Sequence, residues 1–102
     1  MYPYNYSAGE ILPSIVEYYK LGKLVGDTTG GANGAANVIN LMGGYAIPWT
    51  GTKVLKHDGS QHHLIGIRPD YPVNRTIKAV KESRDEYLEE AIKVLKEEVE
   101  NP

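Results

Sequence analysis

Two segments of this 102-residue chain carry residue types that could do chemistry. Residues 7–10 read Ser-Ala-Gly-Glu, and a glycine-rich turn contains Gly30 and Gly31. A serine hydroxyl becomes a nucleophile when a base takes its proton and N–H donors receive the oxyanion. The first amides of a helix have no partner within the helix and can serve as such donors. Ser7 at a helix start, with the Ala8 amide beside it, is therefore a candidate nucleophile.

The same four residues have a second interpretation. Ser-x-x-Glu is also the spacing of a capping box, in which Ser7 accepts a bond from the Glu10 amide and the Glu10 side chain reaches back. Such a cap stabilises a helix by ~1 kcal/mol. From the residues alone both interpretations stay open, and the cap is the commoner use of this spacing.

The helix that would present Ser7 is predicted from hydrophobic spacing. Apolar residues between Ala8 and Tyr19 recur every three or four positions, as on one buried face of a helix. Gly22 is predicted to end the helix in a left-handed cap. The ring of Pro13 clashes with the preceding turn, so we expect a bent entrance to this helix.

Short strands are predicted beyond the helix. Residues 23–26 form a very short strand, and the glycine-rich turn after it offers mainly backbone to a ligand. Two β-hairpins follow, each with turn residues at its tip. Their strands are predicted at 36–41 and 45–49, then at 52–56 and 61–65.

Two helices are predicted at the end of the chain. Pro69 and Pro72 favour an extended stretch, after which residues 76–81 form a short helix and residues 83–100 a long one. Ser-Arg-Asp-Glu at the start of the long helix is another capping box. Its apolar stripe consists of Leu88, Ala91, Ile92, Leu95 and Val99.

Composition excludes several classes of function. With 11 basic and 13 acidic residues the net charge is −2, which gives no electrostatic footprint for nucleic acid or an anionic membrane. No apolar run approaches the ~20 residues of a membrane span, and residues 1–6 have no signal-peptide features. The absence of cysteine excludes disulfides and thiolate metal sites but leaves the compartment unknown.

Other candidate sites are weaker. His57, Asp58, His62 and His63 cluster around one turn, but neighbouring strand residues point to opposite faces, so a metal site is not favoured. We expect no metal and no cofactor. Trp49 and the eight tyrosines could pack in the core or line a peptide groove.

Five segments in register resemble one enzyme family. They are Ser-Ala-Gly-Glu-Ile at 7–11, Tyr-Lys-Leu-Gly at 19–22, Val-Gly-Asp-Thr at 25–28, Thr-Gly-Gly-Ala-Asn-Gly at 29–34 and Gly-Ile-Arg-Pro-Asp at 66–70. In this order they resemble the C-terminal half of the catalytic domain of carboxyl-terminal processing peptidases, the tail-specific proteases, and of their tricorn-core relatives. The resemblance implies that Ser7 is the nucleophile. It also implies an α/β fold, part of a ClpP-like or crotonase-like βαβ superhelix. The length of the chain and its lack of linkers and repeats predict that residues 1–102 form one domain.

The chain departs from the family in its catalytic partners. One branch uses a serine-lysine dyad, but Gly30, Gly31 and Ala32 stand where the lysine would lie. The tricorn-type branch takes a histidine and a second serine from earlier sequence, and a glutamate from the position of His63. We therefore treat His63 only as a polar partner, and we expect the base to lie outside this chain.

The expected function is that of a serine-type endopeptidase fragment acting on peptide bonds in protein substrates, and inactive in isolation. Ser7 would be the nucleophile, the Ala8 amide would lie in the oxyanion hole, and Gly30 and Gly31 would shape the substrate cleft. The alternative is a non-catalytic module that binds peptides or self-associates through surface that a missing N-terminal half would cover. Relatives implied by the resemblance are often extracytoplasmic.

Overall fold

The computed structural model describes residues 1–100 of the chain, as a mixed α/β structure with short strands between an N-terminal and a C-terminal helix. Its elements are, in chain order, α1 (Ala8–Tyr19), β1 (Val25–Gly26), β2 (Ala36–Asn40), β3 (Ala46–Thr50), β4 (Tyr71–Pro72), α2 (Ile77–Lys81) and α3 (Glu86–Glu100).

A parallel pair, β1 with β4, joins two distant parts of the chain. Val25 is in register with Tyr71, and the Tyr71 amide donates to the Leu24 carbonyl over 3.1 Å. The glycine-rich turn follows β1 directly, and the segment 66–70 directly precedes β4. In a parallel pair these two segments lie at opposite ends, so backbone hydrogen bonds are what bring them side by side: the Thr29 amide donates to the Ile67 carbonyl over 3.1 Å, and just before the second segment the Leu64 amide donates to the Gly31 carbonyl over 2.9 Å.

The hairpin of β2 and β3 forms as predicted, in an antiparallel register from Ala36 opposite Thr50 to Asn40 opposite Ala46. All ten of its strand residues are exposed. The hairpin therefore adds nothing to the buried core of the described chain.

The second predicted hairpin is wrong beyond one bridge, between Leu55 and Gln61. Its turn forms, since the Lys56 amide donates to the Ser60 carbonyl over 2.9 Å. The His62 carbonyl then accepts from the amides of Ile65 and Gly66. These bonds fold residues 62–66 into a tight turn, which ends the ladder.

Helix α1 runs without interruption through Pro13, and its predicted bend is untested. Its left-handed cap is Lys20, with φ 52°, and not Gly22 as predicted. The Lys20 amide donates to the Val16 carbonyl, and the Leu21 amide donates to the same carbonyl over 3.2 Å. This closure two residues early is what moves the helix end.

The two later helices differ in how well their starts were predicted. Thr76 caps α2, because its hydroxyl accepts from the Ala79 amide over 3.1 Å. Helix α3 begins at Glu86, and the capping box assigned to Ser83 is wrong. Asp85 caps the helix, since its carboxylate accepts from the amides of the second and third helical residues over 3.1 and 3.2 Å.

The core is small, and its residues come from α2, α3 and the segments that precede β1 and β4. Its buried apolar residues are Leu24, Ile67, Ala79, Tyr87 and Val94. The predicted stripe of α3 does not face this core, because Leu88, Ile92, Leu95 and Val99 are exposed. Instead the aromatic ring of Tyr87 packs edge-on against Tyr2, with 4.6 Å between ring centroids, which turns the stripe outward. Within residues 1–100, no helix is both long and apolar enough to cross a membrane.

Candidate functional site

Ser7 has an unusual backbone conformation at the mouth of α1. Its φ is 50° and its ψ −117°, a combination that residues other than glycine rarely adopt. The Ser7 amide donates to the Ala32 carbonyl over 2.8 Å. Ser7 is exposed to solvent. The glycine-rich turn therefore holds the serine backbone from behind while the side chain stays accessible.

The capping-box interpretation of Ser7 is wrong. Its side chain makes no cap hydrogen bond, and the Glu10 amide donates to the Ser7 backbone carbonyl instead, over 2.9 Å. The Glu10 side chain does not reach back to the helix start. It turns into the protein, where other donors surround it.

Glu10 is fully buried and lies at the centre of a polar network. One carboxylate oxygen accepts from the Thr29 hydroxyl over 2.6 Å and from the Gly31 amide over 2.7 Å. The other accepts from the Ala32 amide over 3.1 Å and contacts His62 Nε2 at 3.0 Å. A buried charge requires such compensation, and each oxygen here has two partners.

The pKa of the Glu10 carboxyl lies below its ordinary value of 4.5. Burial alone raises this pKa, because it disfavours the charged form. Hydrogen bonds from Thr29, His62 and Gly31 stabilise the carboxylate and lower the pKa by more. At neutral pH the site therefore contains a buried carboxylate anion.

Close approach to neighbouring atoms requires two glycines in the turn. A Cβ at Gly30 would lie 1.8 Å from the ring of Tyr6, and the Gly30 amide donates to the Asn5 carbonyl over 3.0 Å. At Gly31, with φ 66°, a Cβ would lie 2.8 Å from the Gly66 nitrogen. The turn is thus packed between the segment before Ser7 and the segment before β4.

Thr29 joins the network to the core. Its hydroxyl donates to Glu10 and accepts from the Ile67 amide over 2.8 Å, while its own amide donates to the Ile67 carbonyl over 3.1 Å. These bonds join the turn to the segment before β4 across 38 residues of sequence, and the register of the parallel β1–β4 pair does not by itself produce them. The site therefore depends on a long-range pairing of the chain.

The histidines lie in three different places. His62 is buried against Glu10, whereas His63 is exposed and lines an open groove of about 640 Å³ with Asn33 and Lys53. His57 stacks on Tyr18 with 4.6 Å between ring centroids. The structure thus brings His62, and not His63, into contact with Glu10. Residues 1–100 contain no cluster of His, Asp and Glu that could hold a metal ion.

The sequence of this chain also matches a known protein family. The family model described as peptidase family S41 matches residues 2–73, which include Ser7, the glycine-rich turn and His62. The chain belongs to peptidase family S41. No curated protein matches the chain.

Two crystal structures have the fold of this S41 chain. One is a candidate peptidase from Parabacteroides merdae ATCC 43184, 27% identical with a TM-score of 0.76, covering 89% of this chain and 29% of that protein. The other is the tricorn protease, 23% identical with a TM-score of 0.82, covering 97% of this chain and 10% of that protein. The S41 chain thus spans less than a third of either relative, and its α/β fold is that of the matching part of the tricorn protease.

Sequence reasoning missed the network around Glu10. It assigned Glu10 to a cap, gave no role to Thr29, and chose His63 where the structure has His62. One signal was present, since the alternation of strand residues allows only one of two adjacent histidines to face inward. That alternation does not say which one, because the facing side depends on how residues 62–66 turn.

Proposed function

We propose that this chain carries the nucleophile segment of an S41 serine peptidase, with Ser7 attacking peptide bonds of protein substrates. The observation that supports this most is the conformation of Ser7, whose positive φ is combined with an exposed side chain that does not cap its helix. A capping serine instead has an extended backbone and binds an amide of its helix. A strained backbone at an exposed serine is typical of a functional position.

The free amide at the helix start supports a role for Ala8 in an oxyanion hole. Among the described residues, the Gly9 and Glu10 amides donate to backbone carbonyls of Tyr6 and Ser7, and the Ala8 amide donates to none. A donor next to the nucleophile can receive the oxyanion of a tetrahedral intermediate.

The glycine-rich turn has a different role in this proposal. The Gly30 amide donates to Asn5 and the Gly31 amide to Glu10, so neither is free to bind an oxyanion. We propose that these two glycines shape the substrate cleft by letting the turn pack closely behind Ser7. Side chains at either position would displace the turn.

The reaction also needs a base for the Ser7 hydroxyl. His62, the buried histidine, already binds Glu10 through Nε2, and His63 lines a separate groove. We propose that the base comes from sequence outside this chain, which spans 29% and 10% of its two structural relatives. We further propose that the peptidase cleaves near the C-termini of its substrates. We also propose that residues 1–102 form one domain, which is part of a ClpP-like or crotonase-like superhelix.

Labelling with a serine-reactive phosphonate tests the nucleophile. We expect a slow but site-selective adduct, which mass spectrometry maps to Ser7, because backbone and donors are placed while the base is not. The adduct should be absent in Ser7→Ala and unchanged in Ser14→Ala, a matched serine on the same helix. Equal labelling of wild type and Ser7→Ala, or no adduct at Ser7 in the wild type, would contradict the assignment.

A second candidate function, self-association, is favoured by the outward face of α3. Leu88, Ile92, Leu95 and Val99 are all exposed there, in a stripe along one side of the helix. Apolar surface of this kind generally binds a partner. We expect the mass in sedimentation to rise with concentration and to do so less in Leu95→Gln than in Lys96→Gln, its neighbour on α3. A monomer at every concentration would exclude this function.

A further inference from the structure

We propose that Glu10 is a positioning residue that sets the backbone of Ser7 through Ala32. The proposal rests on Ser7 being the nucleophile, since positioning has a chemical purpose only for a reacting group. Glu10 itself does not touch the Ser7 side chain. Its effect is transmitted by the glycine-rich turn.

Glu10 holds the glycine-rich turn through hydrogen bonds. Its carboxylate accepts hydrogen bonds from two successive backbone amides, those of Gly31 and Ala32, and from the Thr29 hydroxyl. Because the carboxylate is fully buried, the turn cannot move away without leaving a charge unpaired. The turn is therefore fixed relative to the first turn of α1.

Ala32 connects the turn to Ser7. Ala32 donates its amide to Glu10 and accepts the Ser7 amide at its carbonyl over 2.8 Å. The Gly30 amide holds the Asn5 carbonyl on the other side. The turn thus binds the two successive peptide groups that lead into Ser7, Asn5–Tyr6 and Tyr6–Ser7.

The backbone conformation of Ser7 needs support from neighbouring contacts. A positive φ at a serine is unfavourable and persists only where surrounding contacts enforce it. At the serine itself, the Ser7 carbonyl accepts from the Glu10 amide at the helix start, and the bond of the Ser7 amide to the Ala32 carbonyl is the contact that comes from the turn. Weakening the turn should let Ser7 relax toward ordinary helix-start conformations.

A carboxylate suits this position better than an amide of the same size. In Glu10→Gln, one orientation of the side chain turns the Nε2 hydrogens toward the Ala32 amide and His62, and the other turns them toward the Gly31 amide and Thr29. His62 and the Thr29 hydroxyl can act as acceptors, but the two backbone amides cannot. The substitution therefore keeps the side-chain volume and, in either orientation, breaks a hydrogen bond that holds the turn.

Amide hydrogen exchange of the folded chain tests the proposal without needing any activity. In Glu10→Gln we expect protection of the Ser7 amide to fall by about tenfold, as for the loss of one hydrogen bond. The Lys20 amide, which binds the Val16 carbonyl at the far end of α1, should keep its protection. Glu17→Gln, which replaces a half-buried glutamate of the same helix that contacts Lys56 and not the turn, should change neither.

Two outcomes of the exchange experiment would overturn the proposal. If Ser7 keeps its protection in Glu10→Gln, or if Ser7 and Lys20 lose protection equally, Glu10 acts only on overall stability. The rate of phosphonate labelling at Ser7 provides a second measurement, which should fall in Glu10→Gln and not in Glu17→Gln. If the wild type is not labelled while the selective exchange effect holds, the nucleophile fails and the positioning role stands.

If Glu10→Gln does not fold, the wild-type chain answers the same question. Protonation of Glu10 weakens its hydrogen bonds to the turn, so the NMR shift of the Ser7 amide should change with the same midpoint as the Glu10 carboxyl carbon. A Ser7 amide shift that stays constant through the Glu10 transition would overturn the proposal.

Discussion

At the scale of single residues, neither Ser7 nor Glu10 has the role that their spacing indicates. A serine three positions before a glutamate normally caps a helix, yet here the pair contributes an exposed hydroxyl and a buried anion. The chemistry of both residues was visible in the sequence. The hydrogen-bond partners of Glu10 were not visible, because they reach it only after the chain has folded: Thr29, Gly31, Ala32 and His62.

The buried anion makes stability depend on pH in a defined direction. Its pKa in the folded chain is below 4.5, so the contribution of Glu10 to the free energy of unfolding is present above pH 4.5 and lost as the pH falls through the folded pKa. We expect the stability difference between wild type and Glu10→Gln to be largest at neutral pH and to shrink below pH 4.5. Urea unfolding of both proteins between pH 7 and 3 measures it, and a difference that does not shrink at low pH would contradict the prediction.

At the scale of elements, local patterns predicted much and long-range packing corrected it. Hydrophobic spacing and turn residues predicted α1, the β2–β3 hairpin and α2 within one or two residues. The face of α3 was wrong, because that helix has a second apolar edge at Tyr87 and Val94, and only packing decides between the two. The β1–β4 pair was not predicted, since nothing within two residues of strand indicates a partner far along the chain.

The start of α3 gives a direct test of its cap. Asp85 accepts from two helix amides, whereas Ser83, the sequence-predicted cap, lies outside the helix with φ 54°. We expect Asp85→Ala to reduce the free energy of unfolding by about 0.5–2 kcal/mol, and Ser83→Ala to change it much less. Urea denaturation of both variants checks this. A larger loss from Ser83→Ala would show that the helix begins earlier.

At the scale of the whole molecule, apolar side chains are divided unevenly between inside and outside. A handful form the core around Ile67, while the hairpin and the stripe of α3 expose theirs. The fully buried apolar side chains therefore lie outside the hairpin and outside the predicted stripe of α3. Sequence hydrophobicity could not reveal this division, because the exposed and buried isoleucines are the same residue type.

Two identical substitutions can measure that division. Ile67 is fully buried beside Thr29, and Ile39 in the hairpin is 50% exposed. We expect Ile67→Val to reduce the free energy of unfolding by about 0.5–1.5 kcal/mol, since it removes a methylene from a packed site. Ile39→Val should change it by less than about 0.5 kcal/mol. Equal losses in urea denaturation would mean that the hairpin is part of the folding core.

The contact between Tyr6 and Gly30 has a consequence for how such chains diverge. An aromatic ring beside the serine fills the space that any side chain at position 30 would need. A homologue with alanine at position 30 must therefore have a small residue at position 6 or move the whole turn. Across related sequences, these two positions should vary together, and each restricts what the other can become.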